Sequence, residues 1–125
     1  MWFRCSRDLF SAFVRFVVRS ASDPLSLDRH WRPQYLLCDP CRVHYDFIGH
    51  YETLDTDADH VLRIISRNVT KYSFSESTSR TKAVLPQLFS VVPKSDIEAV
   101  LRLYARDYAL FGYAVPNITN ILQKI

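Results

Sequence analysis

Between Ser95 and Ala109 the apolar residues Ile97, Val100, Leu101, Tyr104 and Tyr108 recur at three- and four-residue steps. That spacing puts them on one side of an α-helix and is the strongest local constraint in the chain. Ser95-Asp96-Ile97-Glu98 stands before the stripe with the form of a capping box. In such a box the hydroxyl and the carboxylate each accept a backbone N–H at the helix start. Glu98 and Arg102 are one turn apart with the acid first, the favourable order for an ion pair. A helix with one continuous apolar side needs a surface to bury it, so the rest of the chain must supply a core.

The composition allows that. Of 125 residues, 48% are hydrophobic, with 7 Tyr, 8 Phe and 2 Trp. This is one small domain with a core, and not a disordered segment. Lys and Arg total 16 against 13 acids, a formal charge of +3, and they are scattered along the chain. Scattering argues against a nucleic-acid surface. A mildly basic face suits an anionic sugar polymer or a phosphorylated nucleotide, and an ordinary solvated surface explains it equally well. The most apolar run, Leu9 to Val18, is interrupted by Arg15 and falls far short of the ~20 residues that span a bilayer. With an arginine inside it and no small-residue cleavage site after it, it does not read as a signal peptide either.

Residues 8–19 are predicted helical, with Leu9, Phe10, Phe13, Phe16 and Val17 on one side. Residues 20–42 hold Pro24, Pro33 and Pro40 without a sustained period and read as an irregular, ordered connection. Val43, Tyr45 and Phe47 alternate with His44 and Asp46, the pattern of a half-buried strand over 43–48. Gly49 marks its end or a close backbone approach. A second helix is predicted over 56–67, capped by Thr56 or Asp55, with Ala58, Val61, Leu62 and Ile65 as its apolar stripe. Ser66 to Arg80 is polar and reads as a loop. Pro116 closes the last unit, and a short tail helix from Asn117 follows.

Several groups of residues carry chemistry. Cys38-Asp39-Pro40-Cys41, followed by His44, has the form of half a zinc site, with His30 or His50 as a further ligand. A second paired element is missing, and no thioredoxin-like context surrounds the pair. Cys5 is the odd cysteine. Asn68-Val69-Thr70 and Asn117-Ile118-Thr119 are glycosylation acceptor patterns, meaningful only in a secretory compartment. Asp28-Arg29-His30-Trp31-Arg32 gathers a histidine, two guanidinium groups and an indole in one loop. Arginines match sulfate and carboxylate geometry, tryptophan offers a flat face to a sugar ring, and histidine exchanges protons near neutral pH. The structural alternative is a core tryptophan, a histidine bonded to backbone and solvated arginines.

Taken together, Asp28-Arg29-His30-Trp31-Arg32-Pro33-Gln34, Leu37-Cys38-Asp39-Pro40-Cys41 and Tyr45-Asp46-Phe47-Ile48-Gly49-His50-Tyr51-Glu52-Thr53-Leu54 closely resemble the C-terminal part of the Golgi carbohydrate sulfotransferases. Leu103 to Tyr113 resembles that family's closing Tyr-x-x-Asp-Phe-x-x-Phe-Gly-Tyr element, with Tyr108 where phenylalanine is usual. The resemblance covers roughly residues 9–113 and is weak over 66–94.

The resemblance implies an α/β fold, the C-terminal part of a P-loop-like sulfotransferase, mostly helical with one or few strands. It implies sulfate transfer from 3′-phosphoadenosine 5′-phosphosulfate to a glycan hydroxyl, in glycoprotein or proteoglycan biosynthesis on the lumenal side of the Golgi membrane. Residues 1–125 are then a partial domain whose donor-binding half and membrane anchor lie upstream. No cofactor is expected on this chain, and no catalytic or metal-binding residue is assigned. Arg7-Asp8 with Ser11-Ala12-Phe13 only faintly echoes a donor 3′-phosphate signature, and neither Gly49 nor Gly112 opens a basic phosphate loop. Arg29, His30, Trp31 and Arg32 become candidates for the acceptor side. Cys38 and Cys41 become a candidate disulfide, as an oxidising lumen would favour. Asn68 and Asn117 become candidate glycosylation sites, and Glu52 is expected to be structural, serving helix N-terminal amides. The alternative is a catalytically inactive remnant that binds a glycan or a partner.

Overall fold

The computed structural model describes residues 2–65 and 81–117, without the side chains of 2–6 and 81–83. It is helical. In chain order the helices are α1 (Trp2–Ser20), α2 (Gln34–Cys38), α3 (Leu54–Ile65), α4 (Thr81–Phe89), α5 (Lys94–Leu103) and α6 (Ala105–Leu110). Single 3₁₀ turns, Pro24–Ser26 and Tyr51–Thr53, precede α2 and α3. The chain divides into two compact units, Met1–Arg42 with Arg80–Ile125, and Val43–Ser79.

In the first unit α1 packs against α4 and α5, and α2 packs against α6. No glycine or proline interrupts residues 2–20, so α1 extends well ahead of the predicted start at residue 8. Its buried side is turned from the predicted one. Val14 and Val17 are buried, with Phe10 and Val18 packed beside Val14, whereas Leu9, Phe13 and Phe16 are exposed. The core joins Val14, Val92 and Ile97, with Phe89, Val100 and Leu101 around them. Phe10 meets Phe89 edge to face at 5.2 Å.

The stripe predicted over 95–109 is confirmed in kind and corrected in shape. The helix starts at Lys94, one residue ahead of Ser95, because the Pro93 carbonyl already accepts from Asp96 N (2.9 Å) and Ile97 N (3.1 Å). Ser95 thus lies inside the first turn and the predicted capping box does not form. Asp96 instead accepts from Arg15 of α1 at 3.2 Å, and Glu98 pairs with Lys94 at 3.8 Å, not with Arg102. The helix breaks at Tyr104, whose φ of −96° and ψ of 11° leave the helical region, and it resumes as α6. Gly112 then adopts a φ of +70°, and Tyr113 N donates to Tyr108 O at 2.9 Å, a Schellman-type stop. α4 was not predicted: Pro86 sits inside it, and a proline normally argues against helix.

The expectation of a mostly helical chain holds among the described residues, whereas the strand expected over 43–48 is corrected in the second unit. Among the described residues there is no strand. Residues 43–48 are irregular, and Val43, Tyr45, Phe47 and Ile48 are all exposed, so the alternation buries neither face. A strand exists only against a neighbouring strand, and none is present among the described residues. α3 begins at Leu54, ahead of the predicted Thr56. Gly49 makes the close approach: a Cβ there would stand 3.3 Å from Phe47 and 3.4 Å from Asp57. The predicted 66–80 loop, the end of the predicted 56–67 helix and the tail beyond Asn117 lie outside the described residues.

Ile97 is 2% exposed and Ile64 is 68% exposed. Ile97→Ala should therefore cost about 3 kcal/mol of unfolding free energy in urea titration. Ile64→Ala should cost under about 0.5 kcal/mol.

Candidate functional site

The loop from Asp28 to Arg32 is a tight turn between two fully buried residues, Leu27 and Pro33. Asp28 organises it. Its carboxylate accepts the His30 backbone N–H at 2.9 Å and lies 2.6 Å from His30 Nδ1, while its carbonyl accepts from Trp31 N and Arg32 N. The His30 backbone bond, then the His30 ring, hold the Asp28 carboxyl below its usual range. Arg32 turns inward, with Nε and Nη2 donating to the Leu27 carbonyl at 2.9 and 2.6 Å. Trp31 is half-buried, edge to face with Phe13 at 5.4 Å and Phe16 at 6.3 Å. Those contacts explain why two exposed phenylalanines sit on α1. Arg29 and His30 face solvent.

The loop is held from across the fold by α6 and the break before it. Tyr104 OH donates to the Trp31 carbonyl at 2.5 Å. The Asp107 carboxylate accepts from Gln34 N at 2.7 Å and Tyr35 N at 2.9 Å. Pro33 occupies the N-cap of α2 and has no side-chain acceptor, so Asp107 caps the helix that Pro33 cannot. Two stretches of sequence more than 70 residues apart, each part of the resemblance, are thereby one structural unit. Burial first, and the Asp107 charge second, push the Tyr104 phenol above its ordinary pKa, which keeps it the proton donor in this bond.

α2 leads directly into the cysteine pair. Asp39 takes a left-handed φ of 44°, donates its N–H to Tyr35 O and accepts from Arg42 N. Cys38 is half-buried at the helix end, with its Sγ accepting from Gln34 Nε2 at 3.0 Å, and Cys41 is exposed in the turn that follows. Among the described residues no three His, Cys, Asp or Glu side chains are grouped to hold a metal ion. Asn117 is exposed, while Asn68 and the side chain of Cys5 lie outside what is described.

Tyr51-Glu52-Thr53-Leu54 belongs to the second unit. The carboxylate reaching over the start of α3 is that of Asp57, which accepts from His50 N at 2.8 Å and Thr53 Oγ1 at 2.6 Å. The 3₁₀ turn that brings Asp57 back over His50 leaves no periodic signal in the sequence.

The two glycines offer no phosphate cradle. Gly49 leads to α3, whose first turn carries Asp55 and Asp57, and the Asp57 carboxylate already occupies the His50 N–H. Gly112 follows a helix instead of opening one. Among the described residues, no helix is long and apolar enough to cross a membrane.

The Asp57 carboxyl is held below its usual pKa, first by the Thr53 hydroxyl and then by the His50 N–H. A depressed pKa gives a contribution that is present above the unfolded value and lost as pH falls through the folded one. Its carboxyl-carbon titration by NMR should have its midpoint below that of a model aspartate, and Thr53→Val should move it upward.

Comparison with known proteins is consistent over this whole stretch. The profile described as Sulfotransferase family matches residues 2–114. Carbohydrate sulfotransferase 14 of Danio rerio is 36% identical over 114 residues, covering 89% of this chain and 30% of the relative. The Homo sapiens protein of the same name is 36% identical over 115 residues, with the same coverage. Carbohydrate sulfotransferase 11 of Danio rerio is 32% identical over 115 residues, covering 90% of this chain and 33% of the relative. The chain thus spans about a third of the length of these relatives. No solved structure matches. With the profile matched from residue 2 to residue 114, and with the Trp31 loop and the Tyr104–Asp107 element that ties it down both inside that match, this chain belongs to the sulfotransferase family.

Proposed function

We propose that this chain is the acceptor-side part of a carbohydrate sulfotransferase. The donor 3′-phosphoadenosine 5′-phosphosulfate would supply an activated sulfuryl group. A sugar hydroxyl would attack the sulfur and give up its proton to a general base, forming the sulfate ester as the bond to the nucleotide breaks and adenosine 3′,5′-bisphosphate leaves. No contact with the donor is assigned to this chain, since neither of its glycine-containing segments suits a phosphate.

The observation that carries this reading is the construction of the Asp28–Arg32 turn. Trp31 and Arg32 are engaged inward, with Phe13, Phe16 and the Leu27 carbonyl, and so position the turn. Arg29 and His30 are left on its solvent side. A guanidinium there can hold a sulfate or carboxylate of the acceptor, and an imidazole can hydrogen-bond a sugar hydroxyl. The Asp28 carboxylate beside Nδ1 orients that ring and leaves Nε2 toward solvent.

The same reading places the protein on the lumenal side of the Golgi membrane. In an oxidising lumen Cys38 and Cys41 would form the disulfide closing the turn after α2, and Asn68 and the exposed Asn117 would be glycosylated.

The test is a chimera in which residues 2–114 replace the matching segment of carbohydrate sulfotransferase 14 of Danio rerio. The chimera should transfer sulfate to glycan. Arg29→Ala with His30→Ala should raise the KM for glycan about tenfold and leave the KM for donor unchanged, as loss of acceptor contacts requires. A folded, secreted chimera with no transfer, or a variant altered only in donor KM, would contradict the proposal.

A further inference from the structure

The first unit holds an open groove of about 510 Å³ between the end of α1, the 3₁₀ turn after it, and α5 with α6. Its rim carries Arg19, Arg102 and Arg106, with Val18, Ser22 and Tyr35 among the residues between them. None of these three arginines is in an ion pair among the described residues, in contrast to Arg15 with Asp96 and Arg42 with Asp39. No carboxylate lines the groove among the described residues. Arg106 is held with its Cζ 5.4 Å above the Tyr35 ring centroid. Tyr35 is itself placed by the Asp107 bond to its N–H. One wall of the groove is therefore preorganised by the tie that holds the Asp28–Arg32 turn.

Two terms oppose each other in this groove. Arg19 and Arg102 lie in the last turns of α1 and α5, whose C-terminal dipoles contribute about −0.5 charge each. Three guanidinium groups outweigh that and leave a net of about +2 facing a cleft of low acidity. Guanidinium is the side chain that engages sulfate and carboxylate oxygens two at a time.

We propose that this groove binds a sulfate- or carboxylate-bearing stretch of a polymeric glycan. The proposal rests on the reading that the chain acts on carbohydrate. Sulfate transfer leaves a sulfate ester on the product, so a polymer modified more than once is a polyanion. A cluster of arginines in no ion pair among the described residues is complementary to such a strand.

The test uses the 125-residue chain, with far-ultraviolet circular dichroism to confirm folding, and titration calorimetry against size-defined dextran sulfate, uncharged dextran and adenosine 3′,5′-bisphosphate. Dextran sulfate should bind, and uncharged dextran should not. Arg102→Gln with Arg106→Gln should weaken binding about tenfold, whereas Arg63→Gln, an equal loss of charge on exposed α3, should change it less than about twofold. Independently of any variant, dextran sulfate should shift the Nε–H resonances of Arg19, Arg102 and Arg106 in the unaltered chain. Equal losses from the groove and Arg63 variants would overturn the proposal. So would unmoved arginine resonances, or displacement of dextran sulfate from the groove by the bisphosphate. None of those results bears on sulfate transfer by the chimera, which tests the enzymatic reading separately.

Discussion

The Asp107 carboxylate, accepting the N–H groups of Gln34 and Tyr35, is the interaction on which α2 and the Asp28–Arg32 turn before it depend. α2 is five residues long and would be marginal alone, since a helix that short cannot repay the cost of its nucleus. Its N-cap is a proline that lacks a side-chain acceptor. Without an external carboxylate, two backbone donors at its start would lose their partner. The second tie, from the Tyr104 hydroxyl to the Trp31 carbonyl, fixes the loop just before it. Both ties come from the place where α5 breaks and α6 begins, so the break belongs to the design of the site.

This arrangement explains which features could be read from sequence and which could not. The apolar stripe through Ile97, Val100 and Leu101 was legible because helical spacing is a local property. The loop cluster at Asp28–Arg32 was recognisable by its residue types, yet the inward turn of Arg32 and Trp31 depends on the Leu27 carbonyl and on phenylalanines of another helix. The capping box at Ser95 failed because Pro93, with its carbonyl free to accept, starts the helix earlier. The strand over 43–48 failed because alternation reports a pattern of side chains, whereas a strand requires a partner for its backbone. The Asp107 cap was invisible for the same kind of reason: donor and acceptor stand over 70 residues apart.

The proposed function follows from what the ties leave free. Residues spent on the frame, namely Trp31, Arg32, Tyr104 and Asp107, hold a turn from which Arg29 and His30 project into solvent. The Tyr35 side of the same frame carries Arg106 toward the basic groove. The proposed acceptor-side role and the proposed glycan-binding groove therefore depend on one physical element. Membership of the sulfotransferase family rests on the sequence match across that element and does not require either proposal.

The most direct measurement of the account is amide hydrogen exchange at Gln34 and Tyr35, followed by NMR in the unaltered chain and in Asp107→Ala. If Asp107 caps α2, both amides are protected in the unaltered chain and exchange about tenfold faster in the variant, while the Ile97 amide in the core of the first unit keeps its rate. Unchanged exchange at Gln34 and Tyr35 would contradict the account, because the turn bearing Arg29 and His30 would then be held by something other than the closing helices.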